Sequence, residues 1–282
     1  MIYSISFPKS KKAYTYTERS GLRMRTKNSP FVYIADQLNL AGKTFRFKSG
    51  LNILIGPNGS GKSTILKACG LSLAAVQGGQ STVSEEWCHE AFGFFGQDKI
   101  IFPWEVQHNG QPAAFVDPRI NLGLSAGGAA FDDSFFELGV SNLMFRGSTG
   151  EKTMAQINQA VGMILGKLSP PTEITRTSTL ADNRLNDIWS RRMEVAREYL
   201  KGDGTPGPVT ILMDEPESYL SIPMQVGFWK RLMSEDKSRF DNLQVIVATH
   251  SPFALDVPFA NYIELAKGYL FECREALLHV VK

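Results

Sequence analysis

The run Gly56-Pro57-Asn58-Gly59-Ser60-Gly61-Lys62-Ser63-Thr64 carries the residue types that hold a chain of phosphates. Its glycines let the backbone turn so that successive N–H groups converge, and a helix starting there would aim its positive end at the same point. Lys62 would reach the outer phosphates, and the Ser63 hydroxyl would ligate Mg²⁺. Two later segments supply complementary chemistry. Thr210-Ile211-Leu212-Met213-Asp214-Glu215-Pro216 is an apolar run ending in two acids. Asp214 can complete the metal shell, while Glu215, pointing elsewhere as successive strand residues do, can polarise a water for in-line attack. Val245 to Pro252 ends another apolar run with Thr249, His250 and Ser251. A donor at His250 could stabilise charge developing on a transferring phosphate.

These residues need strands behind them and a helix after the glycines. Leu51 to Ile55 has the length and composition of a strand buried on both faces, as in a parallel sheet. The stretch TILKACGLSLAA after the glycine-rich turn reads as a helix. VTILM and LQVIVAT read as further strands, with a helix from about Met224 to Ser234 between them. Strands alternating with helices indicate a parallel α/β core, whose ligand sites gather at the carboxyl ends of the strands. FPWEV and AAFVD, separated by His108-Asn109-Gly110-Gln111, read as a hairpin on the strength of Asn-Gly. Helices are expected at Lys152 to Leu168 and at Leu180 to Lys201. In the second, Leu185, Ile188, Trp189, Met193, Ala196 and Leu200 form an apolar stripe, with Arg191, Glu194, Glu198 and Lys201 away from it.

Composition bounds the class. The chain has 282 residues, enough for a large core; 43% are apolar and 21% charged, and the net charge of +2 argues for neither nucleic acid nor a membrane surface. Cys69, Cys88 and Cys273 stand far apart, without the spacing of a disulfide frame or zinc site. The apolar stretch near Ile65 to Val76 is too short to span a bilayer, and the first residues lack the layout of a signal peptide, so a cytoplasmic protein without membrane insertion is expected. Up to about Asn28 the chain is basic, with Tyr3, Tyr14 and Tyr16 interleaved; this reads as a solvated, strand-rich edge rather than a phosphate-contacting arm.

The order GPNGSGKST, DEPESYLS, VIVATHSP resembles an ABC-type ATPase, most closely the SMC/RecF/OLD-like branch of stand-alone ATPases. The resemblance runs in outline from about residue 31 to 265. It implies an α/β P-loop NTPase head: a mixed, mainly parallel central sheet with an antiparallel β subdomain and a helical signature lobe. About 1–120 and 205–282 would form the nucleotide-binding lobe and about 121–204 the signature lobe. It implies ATP and Mg²⁺ as ligands, with Asn58, Gly59, Ser60, Gly61, Lys62, Ser63 and Thr64 on the nucleotide, Ser63 and Asp214 on the metal, and Lys62, Glu215 and His250 in catalysis. A D-loop is implied at Ser218-Tyr219-Leu220-Ser221.

The family also needs a signature motif before a helix. Leu124-Ser125-Ala126-Gly127-Gly128 is one candidate. Ser148-Thr149-Gly150-Glu151 is the preferred one, because its Ser-x-x-Glu spacing is that of a capping box. Ser148, Gly150 and Glu151 would then touch ATP in trans, although Gly147 and Thr149 depart from the family's usual leucine and glycine. Gln97 and the stretch Asp117 to Arg119 both suit the Q-loop, which stays unassigned. No heptad run is long enough for the coiled coil of SMC-like relatives. The resemblance thus implies a nearly bare head working as a nucleotide-sandwiched homodimer. Its output would pass to an effector protein or DNA, in DNA maintenance or anti-phage defence. The energising subunit of a membrane transporter and a module that holds ATP without turnover are the alternatives.

Overall fold

A computed structural model describes residues 1–17, 23–24, 29–36, 38, 40–73, 76–77, 80–81, 102–111, 113–118, 202–233 and 242–281. Its centre is a sheet of seven strands in the order β12-β5-β11-β10-β9-β6-β7. The strands are β5 (Gly50–Ile55), β6 (Val76–Gln77), β7 (Gln80–Ser81), β9 (Ala113–Val116), β10 (Val209–Asp214), β11 (Leu243–Ala248) and β12 (Asn261–Glu264). All neighbours run parallel except β7, which turns back against β6. A second sheet is antiparallel, with β1 (Ile2–Ser6) between β4 (Thr44–Arg46) and β8 (Glu105–His108). A short pair joins β2 (Tyr16–Thr17) to β3 (Arg23–Met24).

The alternation of strand side chains explains why the apolar runs are continuous. Leu54, Leu212, Ile246 and Ala248 face one layer, with Ile65, Leu66 and Cys69 of α3 (Lys62–Ser72) and with Ile5, Phe45 and Trp104. Ile53, Ile211, Met213, Val245 and Val247 face the other, with Phe228, Trp229 and Leu232 of α4 (Ile222–Leu232). The remaining α-helices among the described residues are α1 (Lys12–Thr15), α2 (Pro30–Asp36) and α5 (Tyr269–Val281).

The two sheets are joined by Gln244, which is fully buried on β11. Its Oε1 accepts from Ile2 N at 2.7 Å and Thr210 Oγ1 at 2.9 Å; its Nε2 donates to Ile2 O at 2.8 Å and Lys48 O at 2.9 Å. The amide therefore pairs with β1 as a peptide group would. Gln244→Ala would take these bonds from the buried Ile2 N–H and carbonyl and from the Thr210 hydroxyl, whereas Lys48 O keeps its bond from Asn52 Nδ2 at 2.8 Å. We expect it to lower stability by about 2–4 kcal/mol, read as a shift in the urea midpoint.

Two expectations are corrected. Asn109-Gly110 does not close a hairpin: β8 pairs with β1 in one sheet and β9 with β10 in the other. All four residues of β9 are buried, whereas β8 alternates, so β9 lacks the polar face an antiparallel edge would need. Gly110 still uses its conformational freedom, at φ +76°, but to cross between sheets. Nor is the described start of the chain a purely solvated edge, although Lys9, Lys11 and Lys12 are exposed. β1 is paired on both sides, Ile2 and Ile5 are fully buried, and Tyr14 lies in the core with its hydroxyl donating to Pro8 O at 2.9 Å.

The expected helices at Lys152 to Leu168 and Leu180 to Lys201, with Arg191, Glu194, Glu198 and Lys201, lie outside the described residues. So do Gln97 and both candidate signature motifs, Ser148, Gly150 and Glu151 among them.

Candidate functional site

The glycine-rich turn leaves β5 and enters α3. Two of its glycines are required by geometry. Gly61, the residue before the helix, has φ +98°, and a Cβ there would stand 2.8 Å from Leu40 Cδ1. Gly56 packs so closely on the turn that its Cβ would lie 2.8 Å from Ser60 Oγ. Asn58 and Gly59 are exposed at the tip. Gly61 makes no side-chain cap, so the first N–H groups of α3 are left for another partner.

Lys62 folds back over the turn and is only 4% exposed. Its Nζ donates to Gly56 O at 2.8 Å and Pro57 O at 3.2 Å. Burial pulls its pKa below the ordinary lysine value, against the opposing charges of Glu215, Asp214 and Glu217. Ser60 Oγ is buried with no hydrogen-bond partner among the described residues. A loop with an orphaned hydroxyl, unpaired N–H groups and a retracted lysine fits a polyphosphate.

At the end of β10, Asp214 is fully buried and accepts a hydrogen bond from Ser63 Oγ at 2.8 Å through Oδ1. Mg²⁺ is typically held by one or two protein oxygens plus substrate phosphates, and this hydroxyl–carboxylate pair suits that demand. The next residue leaves the strand: Glu215 has φ +48°, in the left-handed region that non-glycine residues seldom occupy. Its N–H still donates to Ala248 O at 2.8 Å, and its Oε2 accepts from Ser218 Oγ at 3.4 Å. The backbone thus turns sharply just where the two carboxylates must diverge.

β11 lies beside β10 in register, pairing Asp214 with Ala248, so Thr249 and His250 emerge next to the acids. His250 is exposed. Partial desolvation beside the phosphate loop and the positive charge of Lys62 lower its pKa, with Glu215 opposing. The shift favours the neutral imidazole, which offers a single N–H.

The fold thus brings Lys62, Ser63, Asp214, Glu215 and His250 to one edge of the sheet, although they are spread over nearly two hundred positions. Tyr219, in the expected D-loop, is 58% exposed and has φ +69°. One residue at this edge escapes a motif-by-motif reading of the sequence. Glu217 is 9% exposed, and its Oε1 accepts from Thr249 Oγ1 at 2.6 Å and His250 N at 2.9 Å. Its signal was the acid two positions after Glu215, inside the phrase DEPE.

Solved structures with similar outlines include the dimeric structure of a bacterial ABC transporter cassette, 16% identical, covering 94% of this chain and 95% of that one, with a TM-score of 0.38. A bacterial Atm1-family ABC exporter with ATP bound is 15% identical, covering 98% of this chain and 42% of that one, at a TM-score of 0.36. A post-hydrolysis state of an ATP-binding cassette bound to ADP and Pi is 15% identical, covering 94% and 95%, also at 0.36. No curated protein matches the chain. The AAA domain family profile matches residues 36–186, just over half of the sequence. That stretch contains the glycine-rich turn and its lysine, and the α/β sheet brings Asp214, Glu215 and His250 to the same edge. The chain belongs to the AAA domain family and is a P-loop ATPase.

Proposed function

We propose that this P-loop ATPase belongs to the SMC/RecF/OLD-like branch, hydrolyses ATP, and works as an ATP-dependent dimeric switch. It would act in the cytoplasm on an effector protein or DNA, in DNA maintenance or anti-phage defence. The observation that carries the hydrolytic reading is the Ser63–Asp214 hydrogen bond of 2.8 Å at the mouth of the phosphate loop, with Glu215 one residue further on. The branch and its setting rest on the order and wording of GPNGSGKST, DEPESYLS and VIVATHSP.

In this reading Asn58, Gly59, Ser60, Gly61 and Thr64 hold the triphosphate, and Lys62 exchanges its two carbonyls for phosphate oxygens. Ser63 and Asp214 hold Mg²⁺, which supplies charge neutralisation on the phosphates. Glu215 orients the attacking water and takes its proton. The neutral His250 donates to the γ-phosphate as charge builds there. On the family resemblance, about 121–204 would form the signature lobe, with Ser148, Gly150 and Glu151 completing the site of a second copy, and about 1–120 and 205–282 would form the lobe that binds the nucleotide.

Phosphate release by the purified protein tests this. Chelating Mg²⁺ should cut turnover by about 100-fold or more, since the metal carries much of the phosphate charge. A rate untouched by chelation would remove Ser63 and Asp214 from the metal role. DNA or a soluble effector that speeds hydrolysis would support the switch, whereas stimulation by a membrane permease would replace it with a transporter subunit.

A further inference from the structure

We propose that Glu217 is a positioning residue whose Oε1 fixes residues 249–251 and thereby sets where the His250 imidazole stands against the phosphate loop. The inference deepens the reading above, on which the importance of His250 to the γ-phosphate rests.

The His250 ring is exposed, and no hydrogen bond holds it among the described residues. Its place is therefore decided by its backbone. Three consecutive residues of that backbone are tied through one oxygen. The Ser251 N–H donates to Thr249 Oγ1 at 2.9 Å, Thr249 Oγ1 donates to Glu217 Oε1 at 2.6 Å, and the His250 N–H donates to the same oxygen at 2.9 Å. The other end of the tie is equally constrained. Leu220 N donates to Glu217 O at 3.0 Å, and Ser218 N donates to Glu215 O at 2.9 Å. One tight turn thus carries both Glu215 and the acid that anchors His250. The base and the donor are held in one frame, although they come from different strands.

The tie depends on reach and on an acceptor, not on charge. Burial pushes the Glu217 carboxyl above the ordinary glutamate range, with the bonds from Thr249 and His250 opposing and the Glu215 charge adding to it. Oε2 is buried without a partner. A neutral carboxyl keeps Oε1 as an acceptor, and a glutamine side chain of the same length presents an oxygen at the same place. Aspartate keeps the carboxyl group but is one methylene too short to reach both donors.

Steady-state hydrolysis by Glu217→Gln and Glu217→Asp separates these properties, with a thermal midpoint to confirm folding. The Gln variant should keep kcat within about threefold of wild type, while Asp should lose about tenfold or more in kcat with KM for ATP little changed. The imidazole cross-peak of His250, assigned by loss in His250→Ala and recorded without nucleotide, should coincide in wild type and Gln and be displaced in Asp. Wild-type kcat in the Asp variant would overturn the proposal. So would a Gln variant as slow as Asp, which would show that an acceptor at the right reach does not suffice. If the wild type binds ATP yet shows no turnover, the hydrolytic reading falls instead. The His250 cross-peak then decides the role of Glu217 alone: displaced in Asp it stands, unmoved in Asp it fails.

Discussion

Glu215→Gln is expected to abolish most ATP turnover, by about 100-fold or more, while leaving ATP bound. Glutamine matches glutamate in shape, so the left-handed turn at φ +48° and the Glu215 N–H bond to Ala248 O survive. What it cannot do is take a proton from water. The Mg²⁺ pair Ser63–Asp214 and the lysine stay in place, so the substrate should still dock. In a protein that closes around ATP, blocked hydrolysis should trap the closed form, seen as a shift to dimer in size-exclusion chromatography with ATP. Phosphate release is the direct measurement. Equal rates in wild type and variant would take Glu215 out of the base role, and a slow variant that has also lost ATP binding would show that it serves the substrate instead.

The backbone at Glu215 supports this assignment independently of the motif. Positive φ at a non-glycine residue costs of order 1–3 kcal/mol and persists where the surroundings enforce it. Here the enforcement is visible: the N–H is tied to β11, and the carbonyl accepts from Ser218 N. A strand that simply continued would send Glu215 into the layer beneath the sheet. The turn instead keeps its side chain at the rim, half-buried, where a water can meet it.

The parts of this fold that could be read beforehand are those in which a short stretch settles its own environment. Leu51 to Ile55, Thr210 to Met213 and Val245 to Ala248 have no polar face, so each had to be an interior strand, and the structure has β5, β10 and β11 there. The glycine-rich turn was legible because its spacing serves one geometry, now seen in the steric limits at Gly56 and Gly61. Asn109-Gly110 misled because turn chemistry is local while strand pairing is not. The decisive fact was the fully buried Ala-Ala-Phe-Val of β9, which belongs inside a parallel sheet. The roles of Gln244 and Glu217 were hidden for the same reason. Each looks like an ordinary polar residue until the partners, more than thirty positions away for Glu217 and from 34 to 242 away for Gln244, are known.

Lys62→Ala should lower ATP affinity by about 10-fold or more, since a charge-assisted contact to phosphate is worth well over 1 kcal/mol and 1.4 kcal/mol corresponds to a tenfold change. The structure explains why the fold should survive. The lysine lies over the turn and is satisfied by two backbone carbonyls, Gly56 O and Pro57 O, both of which water can serve once the side chain is gone. Its ammonium is the counter-charge to Asp214, Glu215 and Glu217, the three carboxylates that act on it. Removing it leaves those acids facing the incoming phosphates without compensation, so the loss should be larger for ATP than for ADP, which brings less negative charge. Isothermal titration with both nucleotides measures the two affinities, and circular dichroism checks the fold. Unchanged affinity for ATP with an intact spectrum would mean that the glycine-rich turn is not the nucleotide site. An equal loss for ATP and ADP would place the lysine's contact on the phosphates that both ligands share rather than on the γ-phosphate.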